Sequence, residues 1–140
     1  TQEDVVYLAD CLSSKETLEK YRIGVIHDVA AYLDTLERVK QMSARTFVPA
    51  HADAAQDIAP LAQYNIDQVH QVAEDILALC REPVQFETIL QNLFTGYGLE
   101  LTLEQYVLVG STVRSYLAWL VDGGQVTYGF DQNRLLWERA

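Results

Sequence analysis

Read from its start, the chain first turns apolar at Val5-Val6-Tyr7-Leu8-Ala9, a β-prone run suited to a buried strand, and the run stops at Asp10. Residues 13–28 mix charges with Tyr21, Ile23, Val25 and Ile26, and their weak periodicity reads as a loop holding one helical turn. Asp28 then stands where an N-cap accepts bonds from the first free N–H groups of a helix. In that helix Val29, Tyr32, Leu33, Leu36 and Val39 form one stripe at three- and four-residue spacing, and Glu37, Arg38 and Lys40 lie away from it. Thr46-Phe47-Val48 is a second short strand, closed by Pro49, which cannot continue a central ladder. Strand, helix, strand is the pattern of an α/β layer. Two short strands do not make a stable sheet alone, so its other strands are expected upstream of Thr1.

From Asp57 the pattern becomes strongly helical. Asp57 can cap, Pro60 falls in the first turn where its missing N–H does no harm, and Ile58, Ala62, Ile66, Val69, Ala73, Ile76 and Cys80 hold one face. Pro83 stops the helix and marks the expected boundary between two parts. Beyond it, Phe86, Ile89, Leu90, Leu93 and Phe94 define a helix ended by Gly96 or Gly98. Thr102 with Gln105 is a capping-box pair that opens the next helix, striped by Val109, Val113, Tyr116, Leu117 and Leu120 and ended by Gly123-Gly124. Gln125–Tyr128 and Leu135–Trp137 read as strands around a turn at Asp131-Gln132-Asn133. Helices followed by a terminal hairpin is the winged helix-turn-helix order.

Composition narrows the function classes. With 49% hydrophobic and 21% charged residues, the chain has the balance of a folded domain rather than a disordered one. No apolar run approaches the ~18 residues of a membrane span, and the first residues have no signal-peptide pattern. The chain opens on Thr1 without a Met, so a processed or internal piece is expected. A formal net charge of −10 opposes binding to nucleic acid phosphates and to anionic membranes. Cys11 and Cys80 have no metal or redox spacing, which fits two reduced thiols in a cytoplasmic protein.

Two residues stand out chemically. Asp10 directly follows the first strand, and His51 follows the second in Val48-Pro49-Ala50-His51-Ala52-Asp53. A carboxylate and an imidazole are both good zinc or iron ligands. Alone the pair does not identify a metal site, because Asp and His at strand ends commonly cap or hydrogen-bond. The wider pattern adds to it. "VVYLADCL", a helix ending "YLDTLERV", and "FVPAHAD" together resemble the C-terminal half of metallo-β-lactamase-fold hydrolases. "KETLEKYRIGVIHDV" looks like the segment over the active site in one branch of that superfamily, and the long helix with its winged-helix-like end resembles the C-terminal domain appended to some members.

The resemblance implies that Asp10 bridges two metals and that His51 is the last ligand. It implies hydrolysis of a small ester, thioester, lactam or phosphoester-like substrate by the intact protein, with zinc at a two-metal site and iron or manganese as alternatives. Two departures stand against the family pattern. Glycines that flank the family's His are Ala50 and Ala52 here, and the His-x-His-x-Asp-His cluster is absent. With His27, His51 and His70 as its only histidines, the chain is expected to be an inactive fragment lacking most of the metal ligands.

The other candidates have plainer readings. His27 adjoins Asp28 at a helix start, where a local capping contact is the default and a place in the substrate pocket of the intact enzyme the alternative. His70 lies one position off the apolar face of the long helix. Cys11 is read as a small buried residue, and Glu74 and Asp75 as a solvated face. Tyr106, Tyr116, Trp119, Tyr128, Phe130 and Trp137 are read as core, with exposed members available to an interface. Residues 83–140 carry three basic side chains (Arg114, Arg134, Arg139) against six acidic ones, and the candidate recognition helix offers only Arg114. That argues for a structural or dimer-forming role and against DNA.

The expected architecture is therefore α+β and mainly helical. Residues 1–56 are the C-terminal portion of a metallo-β-lactamase-like domain, 57–82 a connecting helix and 83–140 a winged-helix-like domain. The rival reading is a non-catalytic interaction or dimerisation module. Open strand edges near Val5–Leu8 and Phe47–Val48 predict a homodimer.

Overall fold

A computed structural model describes the backbone of residues 5–42, 46–51 and 57–140, and the side chains of residues 12–42 and 57–140. The element order is β1 (Val5–Ser13), α1 (Lys15–Tyr21), α2 (Val29–Gln41), β2 (Thr46–His51), α3 (Ala59–Leu79), α4 (Phe86–Gly96), α5 (Leu103–Asp122), β3 (Val126–Asp131) and β4 (Arg134–Arg139). The fold is α+β and mainly helical, with one two-stranded parallel sheet and one two-stranded antiparallel sheet among the described residues.

The chain divides into two compact units. The first runs up to Gly24 and resumes over Ala30–His70; the second is Val25–Val29 with Gln71–Ala140. The first unit holds β1, α1, β2 and the first half of α3, with α2 from its second residue on. Its core is Leu12, Leu36, Val39, Ile58, Ala62 and Ile66, with Tyr32, Leu33 and Leu61 packed against it. At roughly 1.5–3 kcal/mol for each fully buried large aliphatic side chain, this cluster is the main force holding α2 and α3 beside β1. Lys40 Nζ also donates to Gln63 Oε1 at 2.6 Å across the two helices.

Three local expectations need correction here. Helix α1 replaces the expected loop with one turn: Ser14 caps it, its Oγ accepting from Thr17 N at 3.2 Å, and Leu18 is buried beneath it. The first strand does not stop at Asp10 but continues to Ser13. The second does not close at Pro49 but runs to His51. A two-stranded sheet leaves alternate N–H groups of each strand unpaired, so a proline costs this ladder little.

The second unit matches its local signals closely. Asp57 Oδ1 accepts from Ala59 N at 3.1 Å, in the first unit, and the apolar face of α3 is buried along its whole length into the second. Helix α4 ends in two paired carbonyl bonds, Gly98 N–H to Thr95 O and Leu99 N–H to Phe94 O, and the stop requires the positive φ of Gly98, 67°. Thr102 Oγ1 accepts from Gln105 N at 3.2 Å to open α5. The same double bond closes α5, from Gly124 and Gln125 to Val121 O and Leu120 O, with Gly124 at φ 73°. Gly110 sits where α5 passes α4, and a Cβ there would meet Phe86 Cζ at 3.6 Å. The hairpin turns at Gln132 and Asn133, both at positive φ. Its outer strand is tied down on the far side: Val84 and Trp137 exchange backbone bonds of 2.9 and 2.8 Å, and Arg139 N donates to Cys80 O at 2.7 Å.

Candidate metal centre

The parallel register of β1 and β2 builds the candidate site. Val5, Val6 and Tyr7 pair with Thr46, Phe47 and Val48, then Ala9 with Pro49 and Ser13 with His51. Between the last two pairs β1 spends three residues, Asp10, Cys11 and Leu12, against the single Ala50 of β2. A bulge of this kind breaks the ladder locally and re-aims the chain, and such bulges concentrate beside functional sites. Asp10 therefore lies in the bulge, and His51 lies at the register position of its far end. Both fall at the C-terminal end of the parallel pair, the end where sheets with helical crossovers place their ligands. The side chains of Asp10, Cys11, Ala50 and His51, and all of Ala52, lie outside the described residues.

One further residue fixes this end, and the apolar pattern did not single it out. Asn65, on α3, is only 2% exposed. Its Oδ1 accepts from Ser13 N at 3.0 Å and from Tyr32 OH at 3.4 Å; its Nδ2 donates to Ser13 O at 3.0 Å and to Leu61 O at 2.9 Å. The available signal was a polar amide three residues beyond Ala62 and next to Ile66, inside an otherwise apolar helix face; a buried amide must find partners.

His27 belongs to the other compact unit. It is exposed, and its backbone is held: His27 O accepts from Ser115 Oγ at 2.9 Å, and the neighbouring Ile26 N donates to the buried Thr112 Oγ1 at 2.9 Å. The register thus brings together the strand ends carrying Asp10 and His51 and does not include His27. His70 is exposed. Glu74 is solvated as expected, but Asp75 is half-buried and accepts from Tyr97 OH and from Gln71 Nε2. Cys80 is a free, buried thiol whose pKa burial pushes up to about 11, so it is a poor nucleophile. On α5, Arg114 lies 3.8 Å over the Phe86 ring.

A carboxylate and an imidazole suit zinc in kind but fall short of the three protein ligands that a catalytic zinc needs. Among the described residues no group of three or more His, Cys, Asp or Glu side chains could hold a metal ion. Nor is any helix among them long and apolar enough to cross a membrane.

No family model matches the sequence, and no curated relative does. Solved structures do. A β-lactamase domain protein from Burkholderia ambifaria superposes with a TM-score of 0.77 at 16% identity, covering 99% of this chain and 42% of that one. A metallo-β-lactamase family protein from Thermus thermophilus gives 0.73 at 18% identity, covering 99% of this chain and 43% of that one. The 140 residues thus have a metallo-β-lactamase-type fold and span somewhat under half the length of the structures they match.

Proposed function

We propose that this chain is the C-terminal part of a metal-dependent hydrolase, in which Asp10 and His51 are two of the metal ligands. The observation that carries this reading is the bulged parallel register, which sets both residues at one end of the β1–β2 pair. The remaining donors come from residues preceding this stretch, so these 140 residues alone are inactive. A bound zinc would supply a water whose pKa falls toward about 7. The chain's own part is to hold a carboxylate and an imidazole on a bulged strand pair backed by α2 and α3. The intact protein acts on a small ester, thioester, lactam or phosphoester-like substrate in the cytoplasm. Iron or manganese in place of zinc is the alternative metal content.

The α4–α5 pair and the β3–β4 hairpin, within residues 83–140, form a winged-helix-like module on this reading, with α3 as the connecting helix. The order of elements and the isolated Val84–Trp137 bridge beside the hairpin support it. Its role is contact with protein rather than DNA. Among the described residues, α5 carries one basic side chain, stacked on Phe86, whereas Leu103, Val107, Tyr128 and Phe130 are exposed apolar groups. Those groups also favour the second reading, a non-catalytic interaction module.

Bound zinc, iron and manganese should be measured on this chain and on a chain extended upstream. One or two equivalents in the longer chain only, lost in Asp10→Ala and His51→Ala, is the expected result. A folded longer chain without metal rejects the hydrolase reading in favour of the interaction module. Among the described residues the β1–β2 sheet has two strands and no further neighbour on either edge, which leads us to expect the short chain to sediment as a homodimer.

A further inference from the structure

We infer that Asn65 is a positioning residue for the metal-binding end of the β1–β2 pair, acting as a one-residue substitute for a neighbouring strand. This rests on the assignment of Asp10 and His51 above. The geometry is specific. A strand neighbour would offer a carbonyl and an N–H to the open backbone groups of Ser13, and the Asn65 amide offers both at 3.0 Å. Its two remaining positions are filled by Leu61 O, on its own helix, and Tyr32 OH, on α2. Two donors and two acceptor sites are thus all used in a side chain 2% exposed. An amide serving only to fill space would be replaceable by leucine of similar volume; two of the four bonds of this one go to the backbone of a single residue, Ser13.

That residue is the one that matters for the site. Ser13 closes the bulge that contains Asp10 and is the register partner of His51. With Ser13 pinned to α3, the three-against-one count between the Ala9–Pro49 and Ser13–His51 pairs is held. Released, the end of β1 can slide, and a one-residue slip reverses which face each side chain occupies. Asn65 touches neither metal nor substrate on this account. It governs how closely Asp10 and His51 keep the spacing a metal requires, as outer-shell partners do for ligands.

The test uses Zn2+ alone as the probe, titrated into the chain extended upstream, which supplies the remaining donors, and followed by backbone NMR, together with amide hydrogen exchange. Asn65→Leu is expected to weaken Zn2+ binding about tenfold or more and to speed exchange at Ser13 by a similar factor. Val39→Ala, which opens the same core without touching Ser13, serves as the control for general destabilisation. Asn65→Asp keeps an acceptor for Ser13 N–H and loses the donor to Ser13 O; it should fall between the two and covers the case in which the leucine variant does not fold. Zn2+ binding and Ser13 exchange in Asn65→Leu and Asn65→Asp no different from Val39→Ala would overturn the inference. His51→Ala separates it from the metal assignment: Zn2+ binding unchanged by that substitution rejects the assignment, and exchange at Ser13 alone then decides whether Asn65 pins the strand.

Discussion

The two compact units carry their information differently. In the second, several boundaries are written within a few residues of where they occur: Thr102 with Gln105 at one helix start, Gly98 and Gly124 at two helix stops, Gln132-Asn133 at the hairpin turn. In the first, the feature that matters is a register between strands 33 or more residues apart, and no local signal specifies that three residues of β1 stand against one of β2. Where function depends on non-local pairing, the stabilising groups sit on other elements, and here Leu36, packed in one cluster with Leu12, and Asn65, bonded to Ser13, hold β1.

The strongest way to break that comparison is to empty one core at a time. Leu36 and Leu117 are both fully buried, one in each unit. Alanine at either should cost about 2–5 kcal/mol, read from urea unfolding. The difference should appear in hydrogen exchange. Leu36→Ala is expected to expose the Ser13 amide, because Leu12 shares its cluster, whereas Leu117→Ala should leave that amide protected. Equal loss of protection in both variants would mean that the units open as one.

A smaller effect, confined to alkaline solution, should come from Cys80. Burial raises its folded-state pKa from 9.0 to about 11, so the unfolded chain gives up the thiol proton first. The thiol's contribution is fully present below pH 9 and is lost as pH rises from 9 toward 11, to the extent of about 2 kcal/mol. Cys80→Ala should flatten the stability curve over that interval relative to the parent, even if it lowers the curve as a whole. An unchanged slope would show that the thiol is not desolvated in solution.

Next come the helix stops of the second unit. Gly98 and Gly124 meet nothing within 4 Å where a Cβ would stand, so an alanine there suffers only from the backbone conformation. Each substitution should cost about 1–2 kcal/mol in thermal unfolding. Gly110→Ala is the matched control. Its Cβ would make ordinary contacts at 3.6–3.9 Å inside a helix, and the higher helix propensity of alanine should leave stability level or raised.

What the amino-acid pattern disclosed follows the same division. The stripes of α2, α3, α4 and α5, the Thr102 cap and the hairpin could all be read, because each depends on spacing within one segment. The Asp10 and His51 positions could be read as the ends of apolar runs, though both strands extend beyond those runs. Helix α1 was missed because its apolar stripe is thin, with Leu18 its one buried residue, and because its cap is Ser14 with Thr17 rather than an acidic partner. Asn65 was missed because an amide inside an apolar helix face announces a partner without saying which. Its partner lies 52 residues away, on a strand end whose extent was itself not visible.

The smallest predicted effect would sharpen the contrast most cleanly, because it alters only local code. The β3–β4 turn places Gln132 at φ 49° and Asn133 at φ 63°, so two non-glycine residues occupy left-handed positions in a two-residue hairpin loop. Asn-Gly is the pair such a turn favours: asparagine tolerates the first position better than glutamine, and glycine takes the second without strain. Replacing Gln132 by Asn and Asn133 by Gly should therefore stabilise the hairpin by about 0.5–1 kcal/mol. The gain is held down by the added freedom of glycine in the unfolded chain. The Asp131–Arg134 ion pair across the turn, at 3.3 Å and exposed, should contribute little to the outcome. If the second unit is specified locally, the gain should appear as slower exchange at Gly129 and Leu136, an opposed pair of the ladder, with no change at Ser13. A change at Ser13 would show that the hairpin and the candidate metal centre are energetically coupled after all.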